Sequence, residues 1–396
     1  MSKILFFNVP TQGHINPSLP VVAELVRRGT EVIYYLTEGQ RQRIEATGAT
    51  FRPYATINDD YFDIYKLDGS NPPLTARTMV ETTREVLPNL LDIVRREKPD
   101  IIMHDAMCPW GWYVAQVAGI PSVSSMPLLI LTPKMILQSG QLLDLMALGI
   151  KNLHHIRALN RIAAEMGRTY GMKAPGFPDA LTSTGTITIN YTSALFQPDS
   201  ARLDKNIKFV GPSIEPRPDQ TNFPLNQLDK KPLIYISLGT VINDNPDFYK
   251  QCLRVFGNTE YQVVMSVGRR IELDRLGEIP SNFIVRNFVP QLEILQRAAL
   301  FISHAGMNSV HEGLYYNVPL LLTPQQSEQN LVAVRVQQLG AGIKLPTPLT
   351  DQQLRDAAYR ILNDPNFREQ ACVVGESFRT AGGHQRAADE IMALIR

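Results

Sequence analysis

The sequence predicts an α/β protein built from two doubly wound parallel sheets. Three features carry that reading. The first 36 residues read strand, helix, strand; a proline-dense stretch follows residue 211; and the same rhythm restarts beyond it. Parallel sheets arise from such β-α-β units because a right-handed crossover helix must return the chain to the same edge.

Ile4 to Val9 is short and apolar, as a strand buried on both faces would be. The run Pro10-Thr11-Gln12-Gly13-His14-Ile15-Asn16-Pro17 follows. Asn16 suits an N-cap and Pro17 a first helical position, so the helix is expected to begin there. Arg28-Gly29 supplies its stop signals, and Glu31 to Leu36 is the second strand. Asp100 to His104 reads as a further strand, about Trp110 to Ala118 as a helix, and Ser122 to Ser125 as the next strand. Residues 57–80 and 128–180 are less regular and read as helices and loops inserted over the core.

Five of the 28 prolines fall between Pro212 and Pro232, about a threefold enrichment that marks an extended linker. Beyond it, strands are expected at Leu233 to Leu238, Gln262 to Val267, Phe283 to Val285, Leu300 to Ser303 and Val318 to Leu322. The expected organisation is a first domain at 1–210, a linker at 211–232, a second domain at 233–378 and a last helix at 379–396.

Composition excludes several classes. The chain has 396 residues, 44% of them hydrophobic and 19% charged, an ordinary globular balance. Lys plus Arg is 39 and Asp plus Glu is 38, so no broad electrostatic footprint exists for nucleic acid or an anionic membrane. Cys108, Cys252 and Cys372 are far apart and odd in number, which argues against a disulfide framework or a zinc cluster. No signal-type leader or spanning helix is read, so a cytoplasmic protein is expected. The P-loop, GxGxxG, GxSxG and HExxH motifs are all missing.

Ligands of open parallel sheets bind beyond the carboxyl ends of the strands. The polar residues expected at those ends are His14, His104-Asp105, Ser237-Leu238-Gly239-Thr240, His304 to Ser309, and Pro324 to Gln329. A neutral imidazole takes a proton from a hydroxyl, and a carboxylate behind it fixes the tautomer and stabilises the imidazolium. His14 with Asp105 is such a pair; the structural alternative is that Asp105 caps a helix. Gly306 to Ser309 opens a helix, and a helix start is a ready anion site. Ser309 and Glu312 also spell a capping box, which would explain both without a ligand.

Taken together, Pro10 to Pro17, Ser237 to Thr240, Phe288-Val289-Pro290-Gln291, His304 to Ser309, Glu312 and Glu328-Gln329 resemble the signature of family 1 UDP-glycosyltransferases, above all the bacterial macrolide and flavonoid-type enzymes. The motifs keep the family's order from residue 10 to 329. The resemblance implies the GT-B fold: two Rossmann-like domains facing each other, with acceptor on the first, UDP-sugar on the second, and the last helix crossing back to the first.

In the family pattern Phe288 stacks on uracil, Val289 contacts the base, and Gln291 with Glu312 holds the ribose. Thr240, His304, Gly306, Asn308 and Ser309 cradle the diphosphate. Glu328 and Gln329 bind sugar hydroxyls, His14 is the general base and Asp105 its partner. Plant relatives carry Trp where this chain has Phe288 and Met307, and Met307 follows the bacterial branch.

The implied reaction is inverting transfer of a hexose, glucose first, from a UDP-sugar co-substrate to a hydroxyl of a hydrophobic small molecule such as a flavonoid, phenol or macrolide. No metal or other cofactor is expected, and Asp59-Asp60 and Asp244-Asn245 read as turn residues. Tyr61, Phe62, Tyr65, Trp110, Ile130 and Leu131 are the expected acceptor contacts. A monomer or weak dimer is expected, with no nucleic-acid partner and no stable membrane insertion. Two alternatives stay open at this point: a nucleotide-sugar epimerase of the same fold, or a non-catalytic auxiliary protein.

Overall fold

The structure is a computed structural model that describes residues 2–395 except 62–70, 173–174, 178, 216–222, 229–230 and 240–242. The chain packs as two units: Met1–Ile214 with Ala381–Arg396, and Glu215–Thr380.

The first unit is a seven-stranded sheet in the order β3-β2-β1-β4-β5-β6-β7, every pair parallel. Its strands are β1 Lys3–Phe7, β2 Glu31–Leu36, β3 Thr50–Pro53, β4 Ile101–Asp105, β5 Ser122–Met126, β6 Ile187–Asn190 and β7 Ile207–Phe209. Ile4, Leu5, Phe6 and Phe7 are all fully buried, because helices cover both faces of a parallel sheet. The second unit holds β8 Leu233–Ser237, β9 Gln262–Ser266, β10 Phe283–Arg286, β11 Ala298–Ser303, β12 Leu320–Leu322 and β13 Gly342–Lys344. Their order is β10-β9-β8-β11-β12-β13, again all parallel.

Both sheets therefore have the Rossmann order. In each, the strand sequence reverses once, between β1 and β4 in the first unit and between β8 and β11 in the second. A crevice opens at such a reversal because the flanking connections leave to opposite faces.

Several local expectations are corrected. The first helix is Gln12–Arg27, so it begins one turn before Asn16, and Pro17 and Pro20 lie inside it. Asn16 is engaged elsewhere: Arg43 donates to its Oδ1 at 2.6 Å and to Gln12 Oε1 at 2.5 Å. Within residues 57–80 begins Pro72–Glu97, a continuous 26-residue helix that caps with Asn71. The helix Met307–Tyr315 has Gly306 as its N-cap, so Ser309 is its third residue and no capping box forms there. The capping box that does form is Thr350 with Gln353. The stretch expected as linker divides at 214/215, and residues 225–227 form a turn of 3-10 helix.

The helix Gly383–Met392 packs on Gln12–Arg27, burying Ala387, Ala388 and Ile391 in the first unit's core. Arg28 ties the two together through Asp389 and the Gln385 carbonyl. None of the three cysteines is bridged, and Cys108 and Cys252 are buried. No described helix is long and apolar enough to cross a membrane.

Two histidines are sealed in the cores, one per unit. Burial lowers His104 to about 4 and His311, edge-on to Phe378, to about 3. Each titrates at about 6.5 in an unfolded chain. Between those values the unfolded chain binds a proton that the native chain does not. Stability is thus fully present above about pH 6.5 and falls as the pH drops toward about 4, by about 1.4 kcal/mol per pH unit for each histidine. Denaturant unfolding followed from pH 7.5 to roughly 4.5 is expected to show that decline, and His311→Asn is expected to make it shallower for the second unit without abolishing it, because burial lowers His304 in that unit as well. A midpoint that does not move with pH would contradict it.

Candidate active site

The reversal points are where the predicted residues gather. In the first unit, β1 leads through Asn8–Thr11 into the helix that carries His14 in its first turn, and β4 ends on Asp105. β1 and β4 are neighbours in register, so the two side chains meet. His14 Nδ1 lies 2.8 and 2.9 Å from the two carboxylate oxygens of Asp105. Asp105 is fully buried and His14 nearly so. With Nδ1 donating to the carboxylate, the basic lone pair of the ring is on Nε2. Asp105 also accepts the Met107 backbone N–H at 2.8 Å, a turn contact two residues on; the helix that follows, Pro109–Ala118, has Cys108 as its N-cap, so Asp105 pairs with His14 and does not cap a helix.

In the second unit, β8 ends at Ser237 and leads to Gly239, while β11 ends at Ser303 and leads to His304. Their ends are again in register, Ser237 beside Ser303. Two glycines leave the room that the His304 ring occupies. A Cβ on Gly239 would lie 2.5 Å from its Cε1, and a Cβ on Gly306 would overlap its Nε2. Gly239 also has φ +80°, open to glycine at no steric cost. Between His304 and the helix, Ala305 takes φ 67°, a strained turn of the kind that collects at functional sites.

Burial lowers His304 to about 4, so it is neutral near pH 7, and its Nδ1 is buried with no hydrogen-bond partner among the described residues. The helix Met307–Tyr315 follows, and the N–H groups of a helix's first turn have no acceptor inside the helix. Those of Met307, Asn308 and Ser309, with a neutral imidazole beside them, are the uncharged kind of arrangement that suits an anion.

Gln291 and Glu312 are brought together at the start of Gln291–Leu295: Gln291 Nε2 donates to Glu312 Oε2 at 2.5 Å. Tyr235 completes the set by donating its hydroxyl to Gln291 Oε1 at 2.9 Å. Tyr235 was not legible as a site residue, since a strand tyrosine reads as core. Phe288 follows β10 and is 41% exposed, with the Arg269 guanidinium 5.3 Å from its ring centre. Val289 is half-buried beside it. Glu328 is exposed in the first turn of Ser327–Gln338. Gln329 reaches back to accept the Gln325 N–H at 2.8 Å, so part of its role is to hold that helix start.

The acceptor expectations fare unevenly. Trp110 is fully buried and donates its indole N–H to Tyr54 Oη at 3.1 Å, so it belongs to the core and not to a ligand surface. Tyr61 is also buried, its hydroxyl on Thr82 at 2.5 Å. Ile130 is half-buried and its N–H is bonded to Gln197. Leu131 is exposed. Phe62, Tyr65 and Thr240 lie outside the described residues.

Asp59 accepts the Gly39 N–H and Asn245 caps the helix Pro246–Phe256. Among the described residues no three of His, Cys, Asp and Glu gather as a metal site.

Residues 250–394 match the family described as Erythromycin biosynthesis protein CIII-like, C-terminal domain. Over 400 residues the chain is 31% identical to the uncharacterized UDP-glucosyltransferase YojK of Bacillus subtilis, covering 100% of this chain and 98% of that one. It is 35% identical over 408 residues to the NDP-glycosyltransferase YjiC of Bacillus licheniformis, covering 99% and 97%. The crystal structure of the glycotransferase of kitacinnamycin superposes with a TM-score of 0.85 at 26% identity, over 100% of this chain and 99% of that one. Sequence, fold and relatives agree: the chain belongs to the family 1 UDP-glycosyltransferases, on the bacterial macrolide-type branch, and is a glycosyltransferase of the GT-B fold.

Proposed function

We propose that this glycosyltransferase moves a hexose, glucose first, from a UDP-sugar to a hydroxyl of a hydrophobic small molecule, with inversion and without a metal. The observation that carries the proposal is the buried His14–Asp105 pair, 2.8 Å apart at the reversal point of the first sheet. His14 Nε2 takes the acceptor's proton as the oxygen attacks the anomeric carbon from the face opposite UDP. Asp105 holds the imidazolium that forms.

On the donor side, the leaving diphosphate gains charge as the bond breaks. The first turn of Met307–Tyr315 and the neutral His304 are the groups that would stabilise it, in a geometry already set by Gly239 and Gly306. The exposed Phe288 ring supports a stacked base, and the Gln291–Glu312 pair supports a ribose diol. The name of the Bacillus subtilis relative points to glucose.

Support for a hydrophobic acceptor comes from the first unit. The helix Leu142–Lys151 has no buried residue, yet it is mostly apolar. Leu143 is 77% and Ile150 74% exposed, and Leu131, Leu137, Leu142 and Met146 are exposed as well. Soluble proteins rarely leave so contiguous an apolar segment in water without a ligand to cover it.

The protein mixed with UDP-glucose and a panel of phenols, flavonoids and macrolides is expected to release UDP only when an acceptor is present, with a hexose-sized gain in acceptor mass. Interconversion of UDP-sugars without acceptor, or binding without turnover, would refute the transfer. Repeating the panel with TDP-glucose tests the base.

A further inference from the structure

Asn8, the residue after β1, is fully buried, and every polar group it has is bonded. Its N–H donates to the Tyr35 carbonyl at 3.3 Å, and its carbonyl accepts the Tyr54 hydroxyl at 2.9 Å. Its Oδ1 accepts the Val9 N–H at 2.6 Å, which fixes the orientation of the amide. Its Nδ2 donates to Tyr34 Oη at 2.6 Å and, at 3.5 Å, to the His14 carbonyl.

The chain continues with only one consistent set of donors. Ser18 Oγ gives its hydrogen to the Ile15 carbonyl at 2.8 Å. Tyr34 therefore donates to Ser18 across their 2.8 Å contact, while it accepts from Asn8. From the other side, Trp110 donates to Tyr54, which donates to Asn8. Two lines of hydrogen bonds thus meet at Asn8 and end on the carbonyls of His14 and Ile15.

An apolar side chain would fill the same space without the desolvation cost of these amide and hydroxyl groups. A fully satisfied buried network gains something else, a single geometry. Here that geometry is the height and rotation of the helix turn bearing His14 above β1 and β2. Asp105 orients the ring; Asn8 and Tyr34 set the backbone from which the ring hangs.

We propose that Asn8 and Tyr34, backed by Ser18, Tyr54 and Trp110, are positioning residues for His14. The inference rests on His14 being the base, and the two can fail separately.

Tyr34→Phe keeps the ring and removes the hydroxyl at the centre of the chain. It is expected to lower kcat on the order of tenfold, since small displacements of a reacting group cost that much or more. KM for the UDP-sugar and UDP affinity stay within about twofold. In the His14→Ala background the same substitution has no further effect on the residual rate. Ser18→Ala, a smaller change, serves if Tyr34→Phe does not fold and is expected to act in the same direction.

A readout independent of turnover is the His14 ring resonance in histidine-labelled protein, identified by its loss in His14→Ala. In Tyr34→Phe it is expected to move while the His304 and His311 resonances stay in place. A loss of rate on Tyr34→Phe that persists without His14, or a His14 resonance that superposes on that of the parent, would overturn the positioning role. If His14→Ala itself leaves turnover unchanged, the base assignment fails, and the resonance still decides whether Asn8 and Tyr34 place the ring.

Discussion

Replacing His14 by alanine is expected to lower kcat by about 10²–10⁴-fold, the usual contribution of a positioned general base, while UDP affinity stays within about twofold. The loss falls on kcat because the ring acts on the acceptor proton in the transition state and not on the nucleotide, whose candidate contacts all lie in the other unit. Folding should survive. The ring is at the edge of the core, where a small part of it meets solvent, and the helix is held independently by Arg43, Asn8 and Ser18. The substitution does leave Asp105 buried without its imidazole, keeping the Met107 N–H, so a modest fall in thermal midpoint accompanies the loss of rate. Turnover equal to that of the parent, measured as UDP release with a panel acceptor, would remove His14 from the chemistry.

The second large effect is expected at Gly306. An added Cβ would overlap the His304 ring at the same Nε2–Cε1 edge that a Cβ on Gly239 would crowd. The cost does not come from the backbone: Gly306 sits at φ −61°, a value any residue adopts. Gly306→Ala must therefore push His304 away from the helix start while leaving the helix itself intact. UDP affinity, read by calorimetry, is expected to drop at least about tenfold, or 1.4 kcal/mol, with circular dichroism unchanged. Gly239→Ala adds strain at φ +80° to the same clash and should be the worse of the two for stability. Undiminished UDP binding in Gly306→Ala would show that His304 does not touch the diphosphate.

The boundaries visible in the sequence were those set by local chemistry. Glu31–Leu36 was read at both ends, because Gly29 stops the helix before it and a β-branched and aromatic run defines the strand. The reversal-point residues were visible as well, since polar groups after a short apolar run mark a strand's carboxyl end.

What failed depended on partners distant in sequence. Asn16 has the composition of an N-cap, but Arg43, 27 residues later, occupies it and lets the helix start at Gln12. Ser309 and Glu312 have the spacing of a capping box, but the left-handed turn at Ala305 ends the loop early and places Ser309 inside the helix. Trp110 lies in an irregular segment of the kind from which the family builds its acceptor pocket; its indole faces inward, onto Tyr54. The helix Pro72–Glu97 differs, since its signal is local: Ala76, Met79, Val80, Thr83, Leu87, Leu90, Leu91 and Val94 are buried at helical spacing.

The helix Gly383–Met392 covers the helix that carries His14, yet the whole of Glu215–Thr380 is translated before it. During synthesis the second unit, which is continuous in sequence, has all its residues before the first unit has its own. Until Ala387, Ala388 and Ile391 arrive, their seat on Gln12–Arg27 is open apolar surface, and Arg28 lacks Asp389. A ribosome stalled anywhere within the second unit holds an N-terminal half with an unfinished core at its catalytic edge, the kind of species that chaperones hold and proteases remove.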